Sequence, residues 1–237
     1  SKSNPRIGLI TLASDFRIEK DFNNIIYGKN IDLFVNRIHC YNPLTNETLK
    51  KMAEDITHVA KEILPGEKLD CVAYGCTSGT VAAGYDSIKS KVNLAKPEAK
   101  VTTPITSAIK VLKKKDIKKI SIFTPYTDLI NQSVVDYFKE SGIDIKALHY
   151  FDIASDIDIG KIDRNYLFDV LSNLNLDESE ALFISCTALP ALDLINELEK
   201  KLNKLVISSN QTLIWDSLNL IGNKEIVKGY GEIFESN

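Results

Sequence analysis

Cys76 and Cys186 are the two residues of this 237-residue chain best placed to do chemistry. Tyr74-Gly75-Cys76-Thr77 follows the apolar run Leu69–Ala73, and Ser185-Cys186-Thr187 follows the apolar run Ala181–Ile184. Each has the pattern of a buried strand that ends in Cys-Thr and opens a helix. A second repeat sets Ile7-Gly-Leu-Ile-Thr-Leu-Ala-Ser-Asp15 against Ile120-Ser-Ile-Phe-Thr-Pro-Tyr-Thr-Asp128. Two related lobes, each with a thiol at a strand's carboxyl end, would set two thiols facing each other across one cleft. That geometry suits adding a proton to one face of a substrate carbon and removing it from the other.

The stretch Gly75-Cys76-Thr77-Ser78-Gly79-Thr80 is the strongest single motif. Small and hydroxyl residues at a strand-to-helix turn expose backbone N–H groups, and the helix dipole adds positive potential, so a carboxylate can be held there. The same field is expected to lower the pKa of Cys76. Ser185-Cys186-Thr187 repeats the device. Cys71 lies inside an apolar strand and, with Cys40, reads as a small buried hydrophobe. There is no CxxC or HExxH, and His39, His58 and His149 are scattered, so no metal is expected. The absence of GxGxxG and GxxxxGK[ST] argues against a nucleotide site. Two other classes stay open: a cysteine hydrolase using one of the three histidines as base, and a protein that binds a small acid without turnover.

The elements that must hold these residues alternate. Strand-length apolar runs occur at Ile7–Leu12, Ile31–Ile38, Leu69–Tyr74, Lys119–Phe123, Ile145–Tyr150, Ala181–Ser185 and Leu205–Ile207. Helical patterns lie between them, near Ile18–Tyr27, Thr48–Leu64, Val81–Lys89, Thr106–Lys115, Leu129–Ser141, Tyr166–Leu174, Leu189–Leu202 and Leu213–Ile221. Asn46 and Thr127 offer helix caps, while Pro65-Gly66 and Ser141-Gly142 offer helix stops. Alternation of this kind means parallel sheets covered by helices. The expected fold class is α/β: two pseudo-symmetric, doubly wound (Rossmann-like) lobes, 1–102 plus 208–237 and 103–207, with the active site between them. Ligands in such sheets sit beyond the carboxyl ends of the strands, where Asp15, Cys76, Tyr126 and Cys186 all fall.

Bulk properties exclude more than they assign. Hydrophobic content of 44%, charged content of 26% and a net charge of −3 suit an ordinary globular protein with no nucleic-acid partner. The basic run Lys110–Lys119 reads as a solvated helix end. No stretch reaches the roughly 18 apolar residues of a membrane span. The opening Ser1–Arg6 carries no signal-peptide core, so the expectation is a cytoplasmic protein with four reduced cysteines.

Taken together, these motifs resemble the aspartate/glutamate racemase superfamily, and more closely its maleate cis-trans isomerase and arylmalonate decarboxylase branch. The resemblance runs almost end to end. It is carried by Ser14-Asp15…Glu19, Tyr74–Thr80, Thr103–Thr106, Phe123–Asp128, Phe183–Leu189 and Ser208-Ser-Asn-Gln…Trp215. It implies a cofactor-independent isomerase acting on a small carboxylate, with Cys76 as nucleophile or base and Cys186 as partner acid/base. Thr77, Ser78 and Thr187 would hold a carboxylate, Tyr126 would donate to the carboxylate or enediolate, and Asn210 would stand at the cleft edge. A homodimer is a family expectation. The decarboxylases keep only the second cysteine, so the presence of both argues against decarboxylation. Maleate isomerases carry asparagine where this chain has Asp15, and a further asparagine aligns with Asp156. An ionised aspartate only accepts hydrogen bonds, which suits a substrate bearing an ammonium or hydroxyl group. The pattern is most similar to a subgroup associated with ectoine utilisation and amino-acid racemisation or epimerisation.

Overall fold

The computed structural model describes residues 3–236; Ser1 and Lys2, part of the opening segment read above, lie outside it. The first half of the chain runs β1 (Arg6–Leu12), α1 (Ile18–Ile26), β2 (Asp32–Ile38), α2 (Asn46–Ala53), α3 (Ile56–Lys61), β3 (Cys71–Gly75), α4 (Thr77–Ala83), α5 (Tyr85–Ala95), β4 (Lys100–Thr102) and α6 (Pro104–Lys114). The second runs β5 (Lys119–Thr124), α7 (Asp128–Glu140), β6 (Asp144–Tyr150), α8 (Asp156–Gly160), α9 (Arg164–Ser172), β7 (Ala181–Ile184), α10 (Ile195–Leu202), β8 (Leu205–Ser208) and α11 (Ser209–Leu220).

Two four-stranded parallel sheets result, ordered β2-β1-β3-β4 and β6-β5-β7-β8. The orders are the same once the strands are renumbered, so the repeat seen in sequence is a repeat of topology. The central strands β1, β3, β5 and β7 are buried almost throughout, as a parallel sheet covered on both faces demands. Helix α1 buries Ile18, Phe22, Ile25 and Ile26, a spacing that lays one apolar stripe on the sheet. Helix α2 starts from a capping box in which Thr45 and Thr48 exchange bonds; the cap is thus one residue earlier than Asn46. Ser208 and Gln211 form the same device for α11.

Several expectations change in detail. The pattern over 48–64 is two helices, not one, and that near 81–89 divides into α4 and α5 at Gly84, whose φ of 85° no helix continues through. β4 is three residues long and α8 five, both too short for periodicity to mark. The basic run is partly paired: Lys110 bonds the buried Asp216 at 2.9 Å and Lys115 bonds Glu232. Asp216 also accepts from Thr102 at 2.6 Å, which joins β4, α6 and α11. Helix α11 packs on α6, β3, β4 and α1, so the last long helix crosses to the first sheet. Its first turn therefore reaches both cysteine loops. Among the described residues no helix is long and apolar enough to cross a membrane.

Candidate active site

Cys76 is the N-cap of α4. Its backbone is extended (φ −145°), and its Sγ accepts the Gly79 N–H at 3.2 Å. A Cβ on Gly79 would stand 2.7 Å from that sulfur, so only glycine lets the first turn close on the thiol. The N–H groups of Thr77 and Ser78 open the helix and have no intrahelical acceptor. The thiol is nonetheless 4% exposed, and burial pushes its pKa up to about 12, with the Gly79 N–H opposing only in part. The direction is opposite to the lowered pKa expected from the helix terminus: burial outweighs the Gly79 N–H and the Ser78 hydroxyl.

Cys186 has φ +96°, a region that side-chain-bearing residues rarely enter and that costs about 1–3 kcal/mol. Its N–H donates to Ser209 Oγ at 3.0 Å, and that oxygen shares a hydrogen with Thr77 Oγ1 at 2.7 Å. On the other side, the Thr187 hydroxyl donates to Asp15 Oδ2 at 2.8 Å and lies 3.3 Å from the Gly75 carbonyl oxygen. The two cysteine loops are thus tied at both flanks. Burial, then the Asp156 charge, holds the Cys186 thiol well above its ordinary pKa. Tyr126 is buried beside it; its hydroxyl accepts from Ser185 Oγ at 3.1 Å, and burial raises its pKa strongly.

The carboxylates complete the arrangement. Asp15 Oδ1 accepts the N–H groups of Arg17 (2.7 Å) and Ile18 (3.0 Å), so this residue both starts α1 and touches the second cysteine loop. Asp156 is not a solvated loop residue; it opens α8, is 3% exposed, and accepts Ser14 Oγ at 2.5 Å. Its charge contributes to the raised pKa values of Cys186, Cys76 and Asp15, and its partner Ser14 adjoins Asp15. Asn210 is buried and joined to the backbone of Thr187. Its Nδ2 donates to the Thr187 carbonyl (2.9 Å) and to Asp21 Oδ2 (2.7 Å), and its Oδ1 has no partner. The hydroxyls of Thr77 and Thr187 bond within the protein, while Ser78 Oγ stands 4.0 Å from Cys76 Sγ.

Sequence reading missed Ser14, Asp21, Ser185 and Ser209. One signal for Asp21 was present: it falls on the apolar stripe of α1, three residues after Ile18 and four before Ile25. Ser14, Ser185 and Ser209 were adjacent to singled-out residues and had no periodicity to mark them.

Burial raises Asp15 from 3.8 to about 6 and Asp21 from 3.8 to about 7. An acid whose folded pKa is raised favours the folded state fully below its unfolded value, and this contribution is lost as pH rises through the folded value. The native protein therefore loses stability between about pH 4 and pH 7 on account of these two groups. Asp21→Asn is expected to melt several degrees above the native protein at pH 8, on the order of 2–4 kcal/mol. The gap should narrow as pH falls and vanish near pH 4. Melting curves across that range check it; a gap independent of pH contradicts the burial argument.

The arylmalonate decarboxylase family profile matches residues 24–234. The chain is 24% identical to a maleate isomerase of Geobacillus stearothermophilus, over 96% of each chain. Its fold is similar to a Nocardia farcinica maleate cis-trans isomerase, a cysteine-to-serine variant with a covalently bound succinylcysteine intermediate (TM-score 0.90, 19% identity, covering 98% of this chain and 99% of that one). It is also similar to a mutant arylmalonate decarboxylase in the liganded form (TM-score 0.85, 21% identity, covering 99% and 100%). With the profile spanning most of the chain, and with two parallel-sheet lobes meeting at paired cysteine loops, this protein belongs to the arylmalonate decarboxylase family, on the branch shared with the maleate isomerases.

Proposed function

We propose that this protein is a cofactor-independent isomerase that uses Cys76 and Cys186 to move a proton at the α-carbon of a small carboxylic acid, as a racemase or epimerase. The observation that carries the reading is the tying of two cysteine loops, one per lobe, into a single closed site: the thiols are 4% and 7% exposed. The lobes in this reading are 1–102 plus 208–237 and 103–207. The setting is the cytoplasm, where the four free cysteines stay reduced.

The α-proton of a carboxylate is weakly acidic, so the site must stabilise an enediolate in the absence of water. The first N–H groups of α4 and the Tyr126 hydroxyl are the donors available. One cysteine thiolate takes the α-proton, the electron pair passes into the enediolate, and the opposite thiol returns a proton to the other face. Charge and proton count balance, and the sites of thiol and thiolate are exchanged. Burial disfavours the thiolate at both positions, so the step needs the thiolate favoured when substrate is bound. A substrate ammonium set against Asp156 would offset the charge that, after burial, disfavours the thiolates.

A second reading is favoured by the succinylcysteine in the similar Nocardia structure. Here Cys76 adds to an alkene, the carbon–carbon bond rotates, and elimination gives the trans acid. Proton NMR in D₂O with amino acids, hydroxy acids and maleate separates the two. Loss of an α-proton signal at a rate proportional to enzyme supports proton transfer; conversion of maleate to fumarate, with no α-exchange elsewhere, replaces it by alkene addition.

A further inference from the structure

The strained backbone of Cys186 has one hydrogen-bond acceptor at its N–H, and that acceptor is supplied from outside either cysteine motif. Ser209 is the first residue of α11, its side chain is fully buried, and the capping box of Ser208 and Gln211 fixes the turn that carries it. Ser209 Oγ accepts the Cys186 N–H at 3.0 Å and meets Thr77 Oγ1 at 2.7 Å. A serine hydroxyl has one hydrogen and two lone pairs, so it accepts from Cys186 and still donates to, or accepts from, Thr77. Thr77 directly follows Cys76. One hydroxyl is therefore hydrogen-bonded directly to both thiol loops, across 23 residues on one side and 132 on the other.

We infer that Ser209 is a positioning residue for both thiols: it holds Cys186 in the left-handed conformation and, through Thr77, sets its loop against that of Cys76. The inference rests on the two-thiol reading for its kinetic consequence but not for its structural one. The Cys186 sulfur takes the Ala188 N–H within its own loop, but the Cys186 amide at φ +96° is held by a bond from another element, to Ser209 Oγ. Without that acceptor the Cys186 amide is left buried and unpaired, and the loop is free to relax toward negative φ. The thiol would then leave the position from which it faces the substrate carbon. A displacement of about 1 Å is enough to cost roughly a hundredfold in rate when the reacting groups must align.

The test compares Ser209→Ala, the near-isosteric Thr77→Val and the double variant in the full chain. In a crystal structure of Ser209→Ala, Cys186 is expected to leave the left-handed region; in Thr77→Val, which keeps the acceptor, it is expected to remain there. Turnover of whichever acid shows exchange in D₂O should fall roughly tenfold or more in Ser209→Ala, with KM within about twofold. Thr77→Val should fall less, and the double variant no further than Ser209→Ala alone, because both changes cut one tether. Cys186 retaining its positive φ in Ser209→Ala overturns the inference whatever the substrate proves to be. Additive losses, or a loss seen only in KM, overturn the positioning role. If Ser209→Ala does not fold, Thr77→Val decides: unchanged turnover rejects the shared tether. A wild-type enzyme that exchanges no α-proton defeats the proposed reaction instead, and leaves the Cys186 conformation as the deciding readout.

Discussion

Cys76→Ala and Cys186→Ala each lower turnover by roughly a thousandfold or more, and the double variant is no worse than either alone. The size follows from the site. Among the described residues the two thiols are the nucleophilic groups joined by the cross-lobe bonds of Ser209 and Thr187, and both are buried. The losses are not additive because the two act in one event. A finer signature separates the roles. A two-thiol racemase lacking Cys186 still exchanges the α-proton of the enantiomer that faces Cys76, but does not invert it; lacking Cys76, the preference is reversed. Proton NMR in D₂O with each pure enantiomer reads both effects. Binding of the acid, followed by calorimetry, survives either change. Turnover that persists in both single variants would mean that the paired loops only bind. Full activity when His39, His58 and His149 are each replaced removes the hydrolase alternative.

Asp156→Asn is expected to reverse which acids the protein prefers. Asp156 is buried, its hydrogen bond comes from the neutral Ser14 beside Asp15, and burial raises its pKa. No ion pair to Asp15, Asp21 or Asp156 is found among the described residues. The two cleft acids differ, however. Asp15 has three protein donors, two on one oxygen and one on the other, whereas Asp156 has one. Asp156 is thus the carboxylate with capacity left for a substrate cation. Truncating one partner of a buried charge pair costs about 2–5 kcal/mol, so kcat/KM for an ammonium-bearing acid should fall by roughly a hundredfold or more. An amide can also donate, so affinity for the matching acid without the amino group should rise about tenfold. Paired assays with an amino acid, its hydroxy analogue and the unsubstituted acid measure the ratio. A ratio that does not move assigns Asp156 to structure rather than to selectivity.

What the linear chain determined by itself is the set of elements and the thiol positions within them. Ile7–Leu12, Leu69–Tyr74, Lys119–Phe123 and Ala181–Ser185 are strands because continuous apolar runs can be satisfied only inside a covered parallel sheet. The internal repeat implied two like lobes, which the matching orders β2-β1-β3-β4 and β6-β5-β7-β8 display, and each cysteine falls at the carboxyl end of the third strand in its lobe. The family was legible for the same reason: its motifs sit at strand ends, where residue type is tied to backbone geometry. Only the tertiary structure decided what those side chains do. Asp156 lay in a segment too short for periodicity and proves to be buried against Ser14, 142 residues away. Thr187 meets Asp15 across 172 residues and Asn210 meets Asp21 across 189. The thiol pKa values moved opposite to the local expectation because desolvation is a property of the closed lobes, not of the helix that carries Cys76. Local patterns encode which face of an element is apolar; the partners of buried polar groups are set when two lobes pack, and no spacing within one element specifies them.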